Sequence, residues 1–360
     1  MVNVFQRIKE IHKEKSYTMK IIMIPKNHEY IQRLKSCLEE IGVRVQILKP
    51  FHYSTVMNII KMIAYRTQGY KIIHVHWLYI FPFSLVMKLF YYLCKILVIK
   101  IIWEMHNILP HNCSETDRKM SRWFYEKSDA IIFHSKTDIQ RSKEILRTAI
   151  DKMYVIVPHG NFDGSYENNI SQKNARRILD IPDNKKVILC FGFIRKNRGY
   201  EYLLEAAKDM KDTIVIIAGK KDDKDTYLNL LNYEKQMSNL KLFIKWIPDR
   251  EVQLYFNACD IVVLPYTDIT TSGVIQLAYA FSRPVVTTSI GGLTDVVNSN
   301  TGILIPPKDT EALRKAIERI FSMDLEPMGR YAHEYAKKEF SWESNAQKIK
   351  ELYESIIAAF

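Results

Sequence analysis

The stretch that decides how this chain is read is Phe191-Gly-Phe-Ile-Arg-Lys-Asn-Arg-Gly-Tyr-Glu-Tyr-Leu-Leu-Glu-Ala206. The apolar run 186–191 has the length and composition of a buried strand, and beyond the turn Leu203, Leu204 and Ala207 recur at helical spacing. Between the two lie Arg195, Arg198 and the turn residue Gly199. A strand that stops, offers two guanidinium forks and then opens a helix suits phosphate, because free N–H groups and the positive end of the helix dipole add to the fixed cations. On this segment alone, a βα turn with merely solvated basic residues is the plain alternative.

Outward from this segment, short apolar runs alternate with helical patterns along nearly all of the 360 residues. In the first half, strands are expected at 20–24, 43–48, 72–76, 97–103, 130–133 and 154–157, with helices such as 30–41, 84–95 and 136–147 between them. The polar stretch 160–174 has linker composition. After it the rhythm restarts, with strands at 187–191, 213–218, 241–244, 261–264, 284–287 and 302–305. Helices fall near 200–208, 226–236, 250–256 and 273–281. This alternation predicts an α/β protein with doubly wound parallel sheets. Two such sheets facing each other across one linker would leave a cleft at the carboxyl ends of their strands. Residues 342–358 read as a final amphipathic helix with Ser341 as N-cap.

Composition limits the function classes. Five scattered cysteines, with no CxxC pair, fit a reducing compartment and argue against a disulfide framework or a zinc site. The first residues lack an apolar signal core, so no secretion signal is expected and the protein is placed in the cytoplasm. No GxGxxG or GxxxxGK[ST] occurs, which speaks against a dinucleotide oxidoreductase and a P-loop hydrolase. Asp223-Lys-Asp225 has the form of a metal-binding pair, but it stands among lysines at a helix start, where acids favour the dipole. No metal or other cofactor is therefore expected.

Of the net charge of +12, residues 1–165 hold most, with 25 Lys/Arg against 14 Asp/Glu. Between Glu40 and Glu104 there are eight Lys/Arg and no acid. One-signed charge of this kind points to an anionic partner. Residues 78–103 are strongly apolar, yet Lys88, Lys95 and Lys100 leave no uncharged run long enough to span a bilayer. With Phe90, Tyr91 and Tyr92 beside Lys88 and Lys95, the segment reads as a helix lying in a lipid interface of an anionic membrane. A buried crossover helix whose lysines reach out to water is the alternative. Aromatic and basic residues interleave, but no nucleic-acid motif is present, and no nucleic-acid partner is expected.

A second informative segment runs from Cys259 to Thr288 as strand, polar loop, helix and strand. Ser272 and Gly273 stand where its helix begins, so their N–H groups can face an anion. Ile290-Gly-Gly-Leu-Thr-Asp adds another glycine turn.

Together these segments resemble the nucleotide-binding half of GT-B glycosyltransferases, most closely the retaining family four. The resemblance covers essentially the whole chain and is strongest over 187–305. It implies two Rossmann-like domains, 1–165 binding the acceptor and 166–341 binding the nucleotide sugar, with 342–360 packing back on the first. Arg198 stands at the place of the family's loop lysine, with Arg195 as companion. Ile244-Lys-Trp-Ile-Pro-Asp-Arg-Glu251 and Asp260–Tyr266 resemble its base-binding turn and the strand ending in Pro-Tyr. Trp103-Glu-Met-His-Asn resembles the strand and loop that bring a histidine, here His106, into the cleft. His74-Val-His-Trp77 resembles the preceding strand end, and Val157-Pro-His-Gly160 the entry to the linker.

The site implied by the resemblance comprises His106, Arg195 and Arg198 as catalytic residues. Gly160, Trp246, Ile247, Tyr266, Asp268, Thr271, Ser272, Gly273 and Gln276 would bind the donor, a UDP-sugar or GDP-sugar. His76, Trp77 and His111 would bind a lipid-linked or saccharide acceptor, although Trp77 suits core packing equally well. The family's two glutamates eight positions apart are absent, their places being taken by Ile269 and Leu277. The expected reaction is metal-independent, retaining glycosyl transfer in polysaccharide or glycolipid assembly at the membrane surface. A sugar-nucleotide epimerase of the same fold, or a non-catalytic basic module, are the alternatives.

Overall fold

The structure is a computed structural model and is described over residues 18–24, 29–78, 84–109, 114–148 and 152–359. Its contacts divide it into two compact units. The first runs through Phe133, resumes over Ser142–Val157 and is completed by the chain from Trp342. The second takes in His134–Arg141 and Pro158–Ser341.

The first unit is built on β1 (Met19–Ile24), β2 (Val43–Ile47), β3 (Ile72–Val75), β4 (Lys100–Glu104), β5 (Ala130–Phe133) and β6 (Met153–Ile156), all parallel in the order β2-β1-β3-β4-β5-β6. Between them run α1 (Glu29–Glu40), α2 (Phe51–Thr67), α3 (Ser84–Ile96), α4 (Glu115–Lys127) and α5 (Lys136–Leu146), of which the residues through Arg141 count with the second unit. β3 and β5 are buried along their whole length, which is why they read as unbroken apolar runs apart from His74. β4 begins at Lys100, not at 97. The amides of Leu97 and Val98 donate to Leu93 and Lys95, so the apolar run first finishes α3 and Val98 turns at φ 52°.

The second unit starts with α6 (Gln172–Ile178) and pairs β7 (Lys186–Phe191), β8 (Thr213–Ala218), β9 (Leu240–Phe243), β10 (Ile261–Leu264), β11 (Val285–Thr288) and β12 (Gly302–Ile305) in the order β12-β11-β10-β7-β8-β9. Its helices are α7 (Tyr200–Ala207), α8 (Lys224–Glu234), α9 (Asp249–Ala258), α10 (Gly273–Ala280), the short α11 (Leu293–Val296), α12 (Thr310–Phe321) and α13 (Leu325–Glu339). Residues 160–174 are integral to this unit, contrary to their linker-like composition. Phe162, Tyr166 and Ile170 pack on its core, and Asn161 donates to the carbonyls of Ala336 and Phe340. Side-chain partners thus satisfy the polar groups that made the stretch look like a linker.

The last helix, α14 (Trp342–Ala358), belongs to the first unit. Trp342 meets Tyr30 of α1 edge-on with centroids 5.0 Å apart, and Lys350 Nζ donates to the Ile41 carbonyl at 2.9 Å. In each sheet the chain reverses its winding at one place, between β1 and β3 and between β7 and β10. Loops leaving the carboxyl ends of adjacent strands diverge there, which is where doubly wound sheets bind ligands.

Candidate active site

In the second unit the two loops at that reversal, 192–199 after β7 and 265–272 after β10, are tied together. The Thr267 amide donates to the Asn197 carbonyl at 3.0 Å, and Asn197 Nδ2 donates to the Asp268 carbonyl at 2.8 Å. Gly199 allows the approach: it sits at φ 66°, ψ 33° at the end of a short 3-10 turn, Lys196–Arg198.

Arg198 is thereby held over β7. Its Nη1 donates to the Tyr266 hydroxyl at 2.6 Å and to the Phe191 carbonyl at 3.3 Å, and its guanidinium lies 5.0 Å from the Tyr266 ring centre. Gly192 leaves room for it, since a Cβ there would stand 2.7 Å from Arg198 Nη2. Burial pushes the Tyr266 hydroxyl up, with Arg198 opposing, so it stays a neutral phenol. It can therefore accept from Arg198 and donate to Ser272 Oγ, 2.8 Å away. Ser272 caps α10 without a side-chain bond to the helix, so Arg198, Tyr266 and the helix start form one connected row.

The remaining donor candidates distribute around this row. A Cβ on Gly273 would lie 3.5 Å from Phe162 and 3.8 Å from His159, whose Nδ1 is 2.9 Å from the Gly160 carbonyl, so Gly160 adjoins the start of α10. Gln276, one turn along, is buried, and among the described residues neither of its amide atoms has a hydrogen-bond partner. Thr271 is half-buried beside Ser272. Asp268 is engaged by Arg141, whose Nη2 reaches its carboxylate at 2.9 Å while Nη1 donates to the Ile269 carbonyl at 2.7 Å. Arg195 is separately engaged: its Nε donates to Asp222 at 2.5 Å and its guanidinium packs 4.9 Å from the Phe193 ring. Trp246 is exposed, with its ring 6.4 Å from that of Phe193, and Ile247 is buried. Asp223 caps α8 by accepting from the Thr226 amide at 2.7 Å, a structural role for the first acid of the Asp-Lys-Asp pattern.

In the first unit, β3 and β4 end in a buried polar cluster. His74 and His76 lie on one side of the chain with rings 4.2 Å apart, and both face Glu104. His74 Nε2 and His76 Nδ1 lie 3.1 and 3.0 Å from Glu104 Oε2, while the Tyr30 hydroxyl donates to Oε1. Burial would push the Glu104 carboxyl up; His76, His106 and the hydrogen bonds from His74 and His76 instead hold it well below the usual range. His106 Nε2 is 3.2 Å from His76 Nδ1, and its ring lies flat on Trp77, 4.3 Å and 18° apart. His76 is buried, not at a surface, because Glu104 draws it inward. His111 lies outside the described residues. His74, His76 and Glu104 also bring ligand atoms within 4.8 Å of one another, a donor set that could hold a divalent metal.

Glu104 and Arg141 were not singled out by the sequence reading. Glu104 carried a usable signal, an acid in an otherwise apolar strand two residues before His106. Arg141 carried none, since it meets Asp268 across 127 positions.

On α3, Leu85, Leu89, Tyr92 and Ile96 are exposed along with Lys88 and Lys95. Phe90 is buried against Phe51 of α2, and Tyr91 packs on Trp123, so these two rings do not face outward. Val56, Met57, Ile60 and Ile63 add exposed apolar side chains on α2, a helix the sequence reading had passed over. Among the described residues no helix is long and apolar enough to cross a membrane.

Residues 171–339 match the family model of group 1 glycosyl transferases. The fold class is GT-B, with two Rossmann-like α/β domains. Among relatives, a D-inositol 3-phosphate glycosyltransferase of Corynebacterium urealyticum is 27% identical over 260 residues, 68% of this chain and 61% of its own. An uncharacterized glycosyltransferase of Methanocaldococcus jannaschii is 28% identical over 239 residues, covering 63% and 60%. The chain thus spans about three fifths of the length of these relatives. Of solved structures, the sucrose-phosphate synthase of Thermosynechococcus elongatus superposes with a TM-score of 0.75 at 18% identity, covering 95% of this chain and all of that one. The Anabaena protein HepE in complex with UDP gives 0.72 at 16%, covering 94% and 99%.

Proposed function

We propose that this protein transfers a glycosyl group from a nucleoside-diphosphate sugar to an acceptor, with the second unit holding the donor. The observation that carries the reading is the row from Arg198 through Tyr266 and Ser272 to the first amides of α10. A guanidinium and a helix N-terminus joined in this way suit a diphosphate, whose charge rises as the glycosidic bond breaks. Donors placed for the leaving group act more strongly in the transition state than in the ground state, and so raise kcat. Arg195 would join the clamp by exchanging Asp222 for phosphate. The amide of Gln276, buried one turn into α10, would be satisfied by the donor. Exposed Trp246 beside Phe193 offers an aromatic face for the base. Solved HepE structures contain UDP and UDP-glucose, which favours a uridine nucleotide as the first to test.

The reaction is read as retaining and metal-independent, with the departing phosphate helping to deprotonate the acceptor hydroxyl and His106 orienting the sugar. The acceptor is read as lipid-linked, bound at an anionic membrane surface by the first unit. Support comes from exposed apolar side chains and lysines on α3 and from the acid-free span 41–103.

A thermal-shift series with UDP, GDP and ADP tests the donor, since a ligand at about 100 times its Kd adds about 2.7 kcal/mol of stability. One base should raise Tm, and EDTA should not remove the effect. A failure of all three nucleotides to bind would sink the reading.

A further inference from the structure

We propose that Arg141 is a positioning residue for the sugar-nucleotide donor, fixing the shape of the 265–272 loop that leads from β10 into α10. The inference rests on the reading that this loop and the start of α10 receive the donor. Arg141 stands in the second turn of α5, in the part of that helix that counts with the second unit. Its guanidinium takes two acceptors side by side: Nη1 donates to the Ile269 carbonyl at 2.7 Å and Nη2 to the Asp268 carboxylate at 2.9 Å. A planar fork holds both in one geometry, which an ammonium on a flexible stem does not.

The neighbouring carbonyls are held as well, each from a different segment. Asn197 Nδ2 donates to the Asp268 carbonyl at 2.8 Å, and the Gly292 amide donates to the Thr270 carbonyl at 2.7 Å. Three successive peptide planes are thereby fixed, with Arg141 setting the middle one. A trans peptide points its N–H opposite its carbonyl, so the amides of Ile269, Thr270 and Thr271 are aimed away from these donors. Among the described residues no acceptor takes those three amides. The carbonyl side of the loop is committed to the protein, and its amide side is open to a ligand rich in oxygen acceptors.

The loop rests on the turn Gly291-Gly292, where a Cβ on Gly291 would stand 2.2 Å from the Ile269 carbonyl oxygen and 2.7 Å from that of Thr270. The same turn and α11 anchor the start of α5. A Cβ on Gly292 would lie 2.8 Å from that of Ser135, and the Lys136 amide donates to Asp295 at 2.9 Å. Arg141 thus reaches the loop from a fixed base. Stability does not explain its grip, because the Asp268 side chain is 75% exposed and an ion pair so solvated contributes little. What the fork does is order the loop before the donor arrives, which removes an entropy cost from binding.

The test uses the full chain and begins without ligand. Hydrogen exchange followed by mass spectrometry reports the Thr267 and Gly292 amides, which donate to the carbonyls of Asn197 and Thr270 and should be protected in the wild type. In Arg141→Ala, exchange at both should quicken about tenfold or more while β7, β8 and β10 keep their protection. Arg141→Lys should recover part of it, and saturating UDP should restore it in either variant. With UDP-glucose as donor, KM should rise about tenfold in Arg141→Ala with kcat within about threefold, the pattern of an interaction made equally in ground and transition states. Unprotected Thr267 and Gly292 amides in the wild type overturn the proposal whether or not a variant folds. So does a variant whose exchange quickens across the whole sheet while its donor KM stays that of the wild type, the behaviour of a purely structural arginine. A wild type that neither binds UDP nor turns over UDP-glucose counts instead against the choice of donor, since exchange in the ligand-free chain still decides whether Arg141 sets the loop.

Discussion

Gly199 and Pro265 stand so close that a Cβ on Gly199 would lie 2.0 Å from the Pro265 carbonyl oxygen. The neighbour is backbone at the end of β10 and cannot swing aside, and the φ of 66° already disfavours a side chain. Gly199→Ala should therefore cost about 2 kcal/mol or more in urea unfolding. It should also abolish nucleotide binding at temperatures where the variant remains folded, because the turn carrying Arg198 must shift. Wild-type stability would show that the two loops are not packed as described.

Arg198→Ala should leave the melting temperature close to wild type and reduce kcat/KM about 100-fold, the scale of losing one charge-stabilising donor. Tyr266→Phe removes the bridge to Ser272 but leaves the guanidinium, and a smaller loss is expected. The Arg195–Asp222 pair is largely solvated, so Asp222→Ala should change stability by less than about 1 kcal/mol. If Arg195 must leave Asp222 to grip phosphate, Asp222→Ala will not weaken nucleotide binding, whereas Arg195→Ala will.

Asp138, in the first turn of α5, gives a pH-dependent signature. Burial pushes its carboxyl up to about 6, against the Ser135 hydrogen bond and the charges of His134 and Arg141, with Asp295 adding to the rise. A carboxyl raised in the folded state binds a proton that the unfolded chain has released. Stability must then fall as pH rises from about 4 to about 6. Asp138→Asn should remove up to about 3 kcal/mol of that decline, measured as unfolding free energy at pH 4 and pH 7. Parallel pH profiles for the two proteins would refute the assignment.

Leu85→Asp/Leu89→Asp on α3 places acids among exposed apolar side chains without touching buried Met87, Phe90 or Cys94. Co-sedimentation with anionic vesicles should weaken about tenfold or more, and wild-type binding should fall with added salt. Val56→Asp on α2 asks whether that helix shares the surface. Equal sedimentation of all these proteins would remove the membrane from the function.

The order of strands and helices was legible in the sequence because the inner strands of both sheets are buried, leaving short apolar runs that differ in length from the amphipathic helices between them. Strands 130–133, 213–218, 261–264 and 302–305 coincide with their observed limits. Arg198, Ser272 and Gly273 were legible for a related reason: each stands within a few residues of a strand end or helix start, where local pattern has meaning. Lost to that pattern was the ordering of 160–174 by groups nearly two hundred residues away.

The amino-acid order by itself determined the α/β class, the reversal-point loops and the basic, apolar character of the first half, since these follow from periodicity and composition. Only the tertiary structure decided that Arg198 reaches Ser272 through Tyr266, that Arg195 turns to Asp222, and that three histidines gather on Glu104. The reason is geometric. Hydrogen bonds act over about 3 Å between side chains whose sequence separations run to 68 and beyond, and folding alone brings such partners within reach.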